Sequence, residues 1–258
     1  MLSGRSVDPA HPHEGSIWVC TDTTERKQAE VAIQRDREQQ EVLRRMLEIV
    51  LAGSSFETTL EHVLRVLLSV SWLSLLPKGG VFRMEADGAS LHLVVAHNLT
   101  PEVLRLCADV PLGRCHCGRA AASGVLPYAA RADADHEVAI PDMTNHGHYG
   151  VPITSGMRKL GVLMLYLPVD TPRDPYGEKF LISVAGILAS YFLRAEAEQA
   201  LLEHQRILEQ SVRTRTAELQ ASEARSRAVL TTMLDGVVQI DAAGIILSVN
   251  HAVLDMFA

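Results

Sequence analysis

Apolar positions along this chain change period several times, and each change marks an element. From residue 25 to about 51 neither Gly nor Pro interrupts the pattern, which is charged through Glu41 and then apolar at Val42, Leu43, Met46, Leu47 and Val50. That gradient predicts a linker helix, solvated or paired at its start and docked on a domain at its end. Gly53-Ser-Ser stops it, and Phe56, Leu60, Val63, Leu64, Leu67 and Leu68 then fall at helical spacing as a core-facing stripe. Past Pro77-Lys-Gly-Gly the period shortens. Gly80-Val-Phe-Arg-Met and Ser90-Leu-His-Leu-Val-Val-Ala-His97 read as strands joined by the hairpin signal Ala86-Asp-Gly-Ala. Thr100-Pro-Glu opens a short helix with Pro in its first turn, and Gly118 to Ser123 predicts another, closed by Gly124. A weak strand at Leu126-Pro-Tyr-Ala-Ala precedes a polar loop over 131–147, long enough to suggest function or disorder. His148-Tyr-Gly-Val-Pro-Ile-Thr and Lys159-Leu-Gly-Val-Leu-Met-Leu-Tyr-Leu167 are two further strands across a Ser155-Gly turn.

From Pro175 the chain is helical again, with a stripe at Phe180, Leu181, Val184, Ile187, Leu188, Tyr191 and Phe192. Beyond residue 193 charges dominate. Leu201, Leu208, Val212, Leu219 and Val229 still fit one seam, interrupted by Gln205, Arg215 and Ser222, as in a weak coiled coil. A homodimer through helices 25–52 and 176–230 is the expected assembly. At the N-terminus, residues 1–15 read as irregular, and Gly15-Ser-Ile-Trp-Val-Cys-Thr-Asp22 alternates as one strand. At the other end, two strands flank Asp241-Ala-Ala-Gly244 and Asn250 caps a new helix.

Three motifs in the middle carry a resemblance. Val110-Pro-Leu-Gly-Arg-Cys-His-Cys-Gly-Arg-Ala-Ala-Ala-Ser-Gly124, Tyr149-Gly-Val-Pro-Ile153 and Leu160-Gly-Val-Leu-Met-Leu-Tyr166, in that order, resemble a GAF domain over 53–193. The resemblance implies an α+β fold, a central antiparallel sheet with helices on one face and a ligand pocket under variable loops on the other. It also implies small-molecule sensing or dimerisation. Asp22-Thr-Thr-Glu-Arg-Lys-Gln-Ala-Glu30 is similar to the C-terminal edge of PAS sensor domains, so 1–24 reads as a PAS remnant and 25–52 as its linker helix. Residues 231–258 are similar to the opening of a second, truncated PAS domain, reached through a coiled-coil signalling helix over 194–230. The whole resembles a bacterial PAS/GAF multidomain sensor of the histidine-kinase or diguanylate-cyclase type, its output kinase or cyclase domain lying outside this chain in cis.

Composition narrows the function classes. The 258 residues are 47% hydrophobic and 21% charged, with a net charge of −7. That acidity, with no basic stripe, excludes a nucleic-acid footprint. No run approaches the roughly 18 apolar residues of a membrane span, and the N-terminus lacks a signal-peptide core; a cytoplasmic location is expected. Kinase ATP-lid, phosphate-loop and cyclase signatures are absent, so no enzyme activity is expected of the chain itself.

The candidate chemistry is cysteine and histidine. Three of four cysteines, Cys107, Cys115 and Cys117, fall in one block, and His146 and His148 follow about thirty residues later. Spacing of two in a strand or turn puts both side chains on one side. A Cys2His2 site from Cys115, Cys117, His146 and His148 is therefore predicted, with Cys107 and His136 as spare ligands. Asp133 or Asp135 are hard-oxygen alternatives, and Tyr149 and Asp135 line the pocket. Zinc or iron, non-haem or iron–sulfur, suits such donors. Against this stands plain packing of buried cysteines as small hydrophobes. Cys115-His116 is the dipeptide of bilin-binding GAF domains, although its flanks differ; the cyclic-nucleotide signature is missing. A cysteine redox sensor, or an enzyme similar to free methionine sulfoxide reductase, would use Cys107, Cys115 and Cys117 with Arg114 and Arg119 lowering a thiol pKa. As a sensor, the pocket would shift the 136–149 loop and, through it, the helix from Phe180 onward.

Overall fold

The computed structural model describes residues 2–6, 16–20, 22, 24–132, 136–137, 145–232 and 235–257. It divides into two units, Met1–Ala195 and Glu196–Ala258. In the first, strands β1 (Leu2–Ser6) and β2 (Ser16–Cys20) form an antiparallel hairpin. The sequence pattern predicts only the second strand. Leu2-Ser-Gly-Arg-Ser has no apolar alternation, and its pairing rests on backbone hydrogen bonds that leave no side-chain signature.

Helix α1 (Thr24–Leu51) starts where Asp22 Oδ1 accepts from Thr24 N at 2.8 Å. It is mostly exposed in its first half, where Arg35 is half-buried, and then packs Val42, Leu43 and Ile49 on the core and buries Met46 and Val50, as the charge gradient predicts. Helix α2 (Phe56–Leu68) is capped by Ser55 and buries Leu60, Val63, Leu64 and Leu67. After a 3-10 turn at Ser71–Leu73 come β3 (Gly79–Met84) and β4 (Ser90–His97), then α3 (Pro101–Leu106), capped by Thr100. A short strand β5 (Asp109–Pro111) leads into α4 (Cys115–Ser123), which Gly124 ends in the left-handed conformation. Then β6 (Tyr128–Ala129), β7 (Gly147–Ser155) and β8 (Arg158–Leu167) complete one six-stranded antiparallel sheet in the order β5-β4-β3-β8-β7-β6.

Helix α5 (Pro175–Thr232) covers one face of this sheet together with α1 and α2. Its Phe180, Leu181, Val184, Leu188 and Phe192 are all at most 1% exposed. A window of this helix is long and apolar enough to cross a membrane, with mean hydropathy 1.4, which corrects the expectation that no segment approaches a span. The buried stripe on the sheet accounts for much of that hydropathy. α1 is held to the same unit by Arg194 Nη2, which donates to the carbonyl of Val50 at 2.9 Å.

Period-two alternation sorts the strands onto two faces. Val81, Tyr149, Val151, Ile153, Leu163, Leu165 and Leu167 join the core under α1, α2 and α5. Phe82, Val162 and Met164 turn to the opposite face, where α4 lies. The arrangement is the predicted α+β class, an antiparallel sheet helical on one side and cavity-bearing on the other.

In the second unit the continuing helix exposes the whole predicted seam, Leu201, Leu208, Val212, Leu219 and Val229. A hairpin of β9 (Val238–Ile240) and β10 (Ile246–Val249) turns at Asp241, whose Oδ1 accepts from Ala243 N and Ile245 N at 2.9 Å. Helix α6 (His251–Phe257) follows, with Asn250 Oδ1 accepting from Val253 N.

A histidine-lined cavity as candidate functional site

The face of the sheet opposite α5 encloses a cavity of about 310 Å³. Strand β7 brings His148 into it, and the register pairs His148 with Tyr166 of β8, so both rings stand on the same face. Their centroids are 4.7 Å apart, and His146, just before the strand, lies 4.6 Å from His148 and 4.8 Å from Tyr166. His136 comes from the polar loop and stacks on His148 at 4.8 Å. Glu137 fixes that stretch of loop: its carboxylate accepts from Arg114 Nε at 3.2 Å and Arg119 Nη2 at 2.9 Å, at the two ends of the first turn of α4. The two arginines are thus engaged with a carboxylate, rather than serving as the thiol activators expected from their sequence position.

The donor nitrogens of His136, His146 and His148 all lie within 4.8 Å of one another. A fourth imidazole, His116 of α4, reaches the cavity wall with its ring 5.3 Å from His148 and 5.9 Å from His136. His148 is 3% exposed, and neither of its ring nitrogens has a hydrogen-bond partner. A buried polar group in that state costs about 1–3 kcal/mol. Burial, and after it the neighbouring His146, His136 and His116, push its pKa down to about 2, so the ring is a neutral base with one nitrogen lone pair to offer.

The cysteines do not join this donor set. The expectation of a strand or turn at Cys115 and Cys117 fails because α4 begins at Cys115, three residues earlier than the helix predicted from Gly118. Spacing of two on a helix turns side chains about 200° apart. Cys115 itself has φ of 53°, a left-handed conformation that costs a non-glycine residue roughly 1 kcal/mol. Three residues on, Gly118 packs its backbone against the carbonyl of Pro111, where no Cβ fits. Cys115 and Cys117 are buried with Phe82, Leu91 and Met164, and Cys107 is partly buried beside them; all three are free thiols that also line the cavity. Burial pushes the Cys107 thiol up to about 11 and Cys117 well above the ordinary value, so both are held protonated.

Two other site predictions change. Tyr149 is not a cavity residue: one step along β7 from His148 it faces the helical core, and its hydroxyl accepts from Asp174 N at 3.2 Å. Asp133 and Asp135 lie outside the described residues. The sequence reading missed Tyr166 and the cavity role of His116. Cross-strand register from the Ser155-Gly turn points to the first, and i, i+1 neighbours of cysteine on a helix gave no separate signal for the second.

The architecture is that of the GAF-type α+β fold. No family model and no curated protein matches the chain. Among solved structures, the chain is similar to the GAF domain of a phosphoenolpyruvate-protein phosphotransferase from Coxiella burnetii. That match has 19% identity and a TM-score of 0.55, covering 63% of this chain and 96% of that one. It is also similar to free methionine-R-sulfoxide reductase from Neisseria meningitidis, solved with its substrate, at 22% identity and a TM-score of 0.53. Here 62% of this chain and 91% of that one are covered. These likenesses establish the fold. The second overturns the expectation that the chain carries no enzyme activity, because an enzyme shares this architecture.

Proposed function

We propose that the domain over 53–193 is a sensory module whose cavity binds a transition-metal ion through His136, His146 and His148. The observation that carries this is His148, buried among three other imidazoles with both ring nitrogens unsatisfied. Coordination would offset the cost of that burial. Imidazole donors suit zinc, ferrous iron, copper or nickel; an iron–sulfur cluster needs thiolates, and the cysteines lie outside the histidine donor group. Zinc and iron are the ions we put first.

The route out of the cavity is short. His148 and Tyr149 are neighbours on β7 with opposite orientations, and the Tyr149 hydroxyl meets Asp174 N at the start of α5. The Asp174 carboxylate lies 3.8 Å from Arg35 of α1, whose guanidinium also sits over Tyr176 at 5.1 Å. A displacement of β7 on metal binding therefore reaches both long helices. In our reading α1 and α5 pair in a cytoplasmic homodimer, supported by the exposed apolar seam, and act on a kinase or cyclase domain in cis between PAS segments. Disulfide cross-linking along 198–222 that yields only monomers would remove the dimeric form of the mechanism.

The metal test is elemental analysis of anaerobically purified protein. About one ion per chain is expected, lost in His148→Ala while the fold is kept by circular dichroism. A metal-free, fully folded protein that takes up no zinc or iron on addition overturns the reading.

A second reading keeps the cavity and uses its thiols. Cys107, Cys115 and Cys117 all line it, and they would supply the electrons for reducing a small sulfoxide to the thioether, two thiols joining as a disulfide and water being released. Turnover of free methionine sulfoxide with dithiothreitol, abolished in Cys117→Ser, would favour it; no turnover removes it.

A further inference from the structure

Three clustered imidazoles do not complete a metal's coordination, and among the described residues the space beyond them is mostly apolar, with Lys78, Asn98, Thr100 and Asn145 as the polar groups in its lining. The cavity volume of about 310 Å³ is roughly ten times one water's share of liquid volume. Away from the histidines its walls include Leu76, Phe82, Leu99, Val103 and Met164. His116 has its ring 5.3 Å from His148 and 5.9 Å from His136, outside the group of nitrogens within 4.8 Å. Walls of this kind favour displacing water by an apolar body, while a few convergent polar groups fix its orientation.

Resting on the metal reading above, we infer that the bound ion keeps an open position that faces this space. It takes an exogenous small molecule by one lone-pair donor atom, with an apolar body against Phe82, Val103 and Met164. His116 bounds the ligand rather than the ion. The sensed class is thus a compact, largely apolar molecule with a single nitrogen, oxygen or sulfur head. A site built only for a hydrated ion would gain nothing from the apolar remainder.

The test uses the full chain loaded with Co(II), whose visible d–d bands report coordination. Imidazole and 4-phenylimidazole are added separately. Both are expected to shift the bands, and the phenyl compound should half-saturate at a concentration lower by at least about tenfold, from burial of its ring. Val103→Trp, which fills the apolar space, should keep cobalt and imidazole binding and lose that gain. His116→Gln should keep cobalt affinity within about threefold, since losing even an outer-shell partner of a ligand costs about 10–100-fold and losing a ligand costs more.

Each failure has its own meaning. Stoichiometric cobalt with bands that neither compound moves shows a closed coordination sphere and overturns the inference alone. So does loss of cobalt in His116→Gln, which would make His116 a fourth ligand. Equal affinity for the two compounds overturns the apolar subsite. A wild-type chain that takes no cobalt overturns the metal reading and this inference with it.

Discussion

The two faces of one sheet solve opposite problems. Under α1, α2 and α5, the strands send in Val81, Val151, Ile153, Leu163 and Leu165, each at most 1% exposed, and the helices answer with Leu60, Leu64, Phe180 and Leu188. Nothing in that set needs a hydrogen bond. Across the sheet the same strands send in Phe82, Met164, Tyr166 and His148, and α4 adds His116 and the two cysteines, around an open cavity. Close packing contributes stability on the first face. The second gives some of it up, keeping buried polar rings and unfilled volume. Departures from packing rules of that kind collect where a protein binds something.

Truncation on each face separates them most sharply. Phe180 is fully buried and packs its ring against Trp72 at 5.0 Å, so Phe180→Ala should cost about 3–5 kcal/mol of unfolding free energy. Urea denaturation of the metal-free protein measures it. His148→Ala in the same assay should cost under about 1 kcal/mol, because it removes an unsatisfied polar ring along with its packing. Equal losses at the two positions would erase the contrast between core and cavity.

Much of this contrast was legible in the sequence, and the remainder was hidden for physical reasons. The stripes of α2 and α5 are amphipathic, so their period located the core face directly. In β8 the run Leu160-Gly-Val-Leu-Met-Leu-Tyr-Leu is apolar at nearly every position, because both faces are covered; periodicity cannot say which residues meet the cavity. Only the register, with His148 opposite Tyr166, decides it. His146 and His148 were chosen on spacing and His136 as a spare from the loop before them, and the three converge. The cysteines were assigned a strand's geometry, whereas α4 starts at Cys115 after a left-handed residue, a boundary no composition signal marks. A short non-alternating strand, β1, was invisible for the same reason: its bonds are all backbone.

Thiol chemistry gives the next contrast, smaller than a core truncation and confined to the cavity face. Burial first, and then the neighbouring Cys115, hold Cys107 up to about 11, against 9.0 for an unperturbed thiol. Since the thiolate is the nucleophile, its fraction at pH 8 falls about a hundredfold. Iodoacetamide labelling of Cys107 in the folded protein should be slower than that of a model thiol by about that factor. The rate should climb through pH 10 and 11 where a model thiol has levelled off. Labelling at the model rate at pH 8 would mean that the cavity wall is wetter than its apolar lining implies, and would raise the standing of the thiol reading.

The smallest effect tests whether the faces communicate. Tyr149 belongs to the core face by orientation, yet it follows His148 in the chain, and its hydroxyl accepts from Asp174 N at the head of α5. Asp174 Oδ1 in turn accepts from Tyr176 N, holding the first turn of that helix. Tyr149→Phe keeps the ring and removes one acceptor, so the metal-free protein should lose about 1 kcal/mol, a melting shift of a few degrees. The informative quantity is the difference between states. If the hydroxyl links the cavity strand to α5, zinc binding should alter amide hydrogen exchange in the first two turns of α5 in the wild type and much less in Tyr149→Phe, at equal zinc affinity. An identical exchange response in both proteins would leave the hydrogen bond as local stabilisation and place the coupling elsewhere in the sheet.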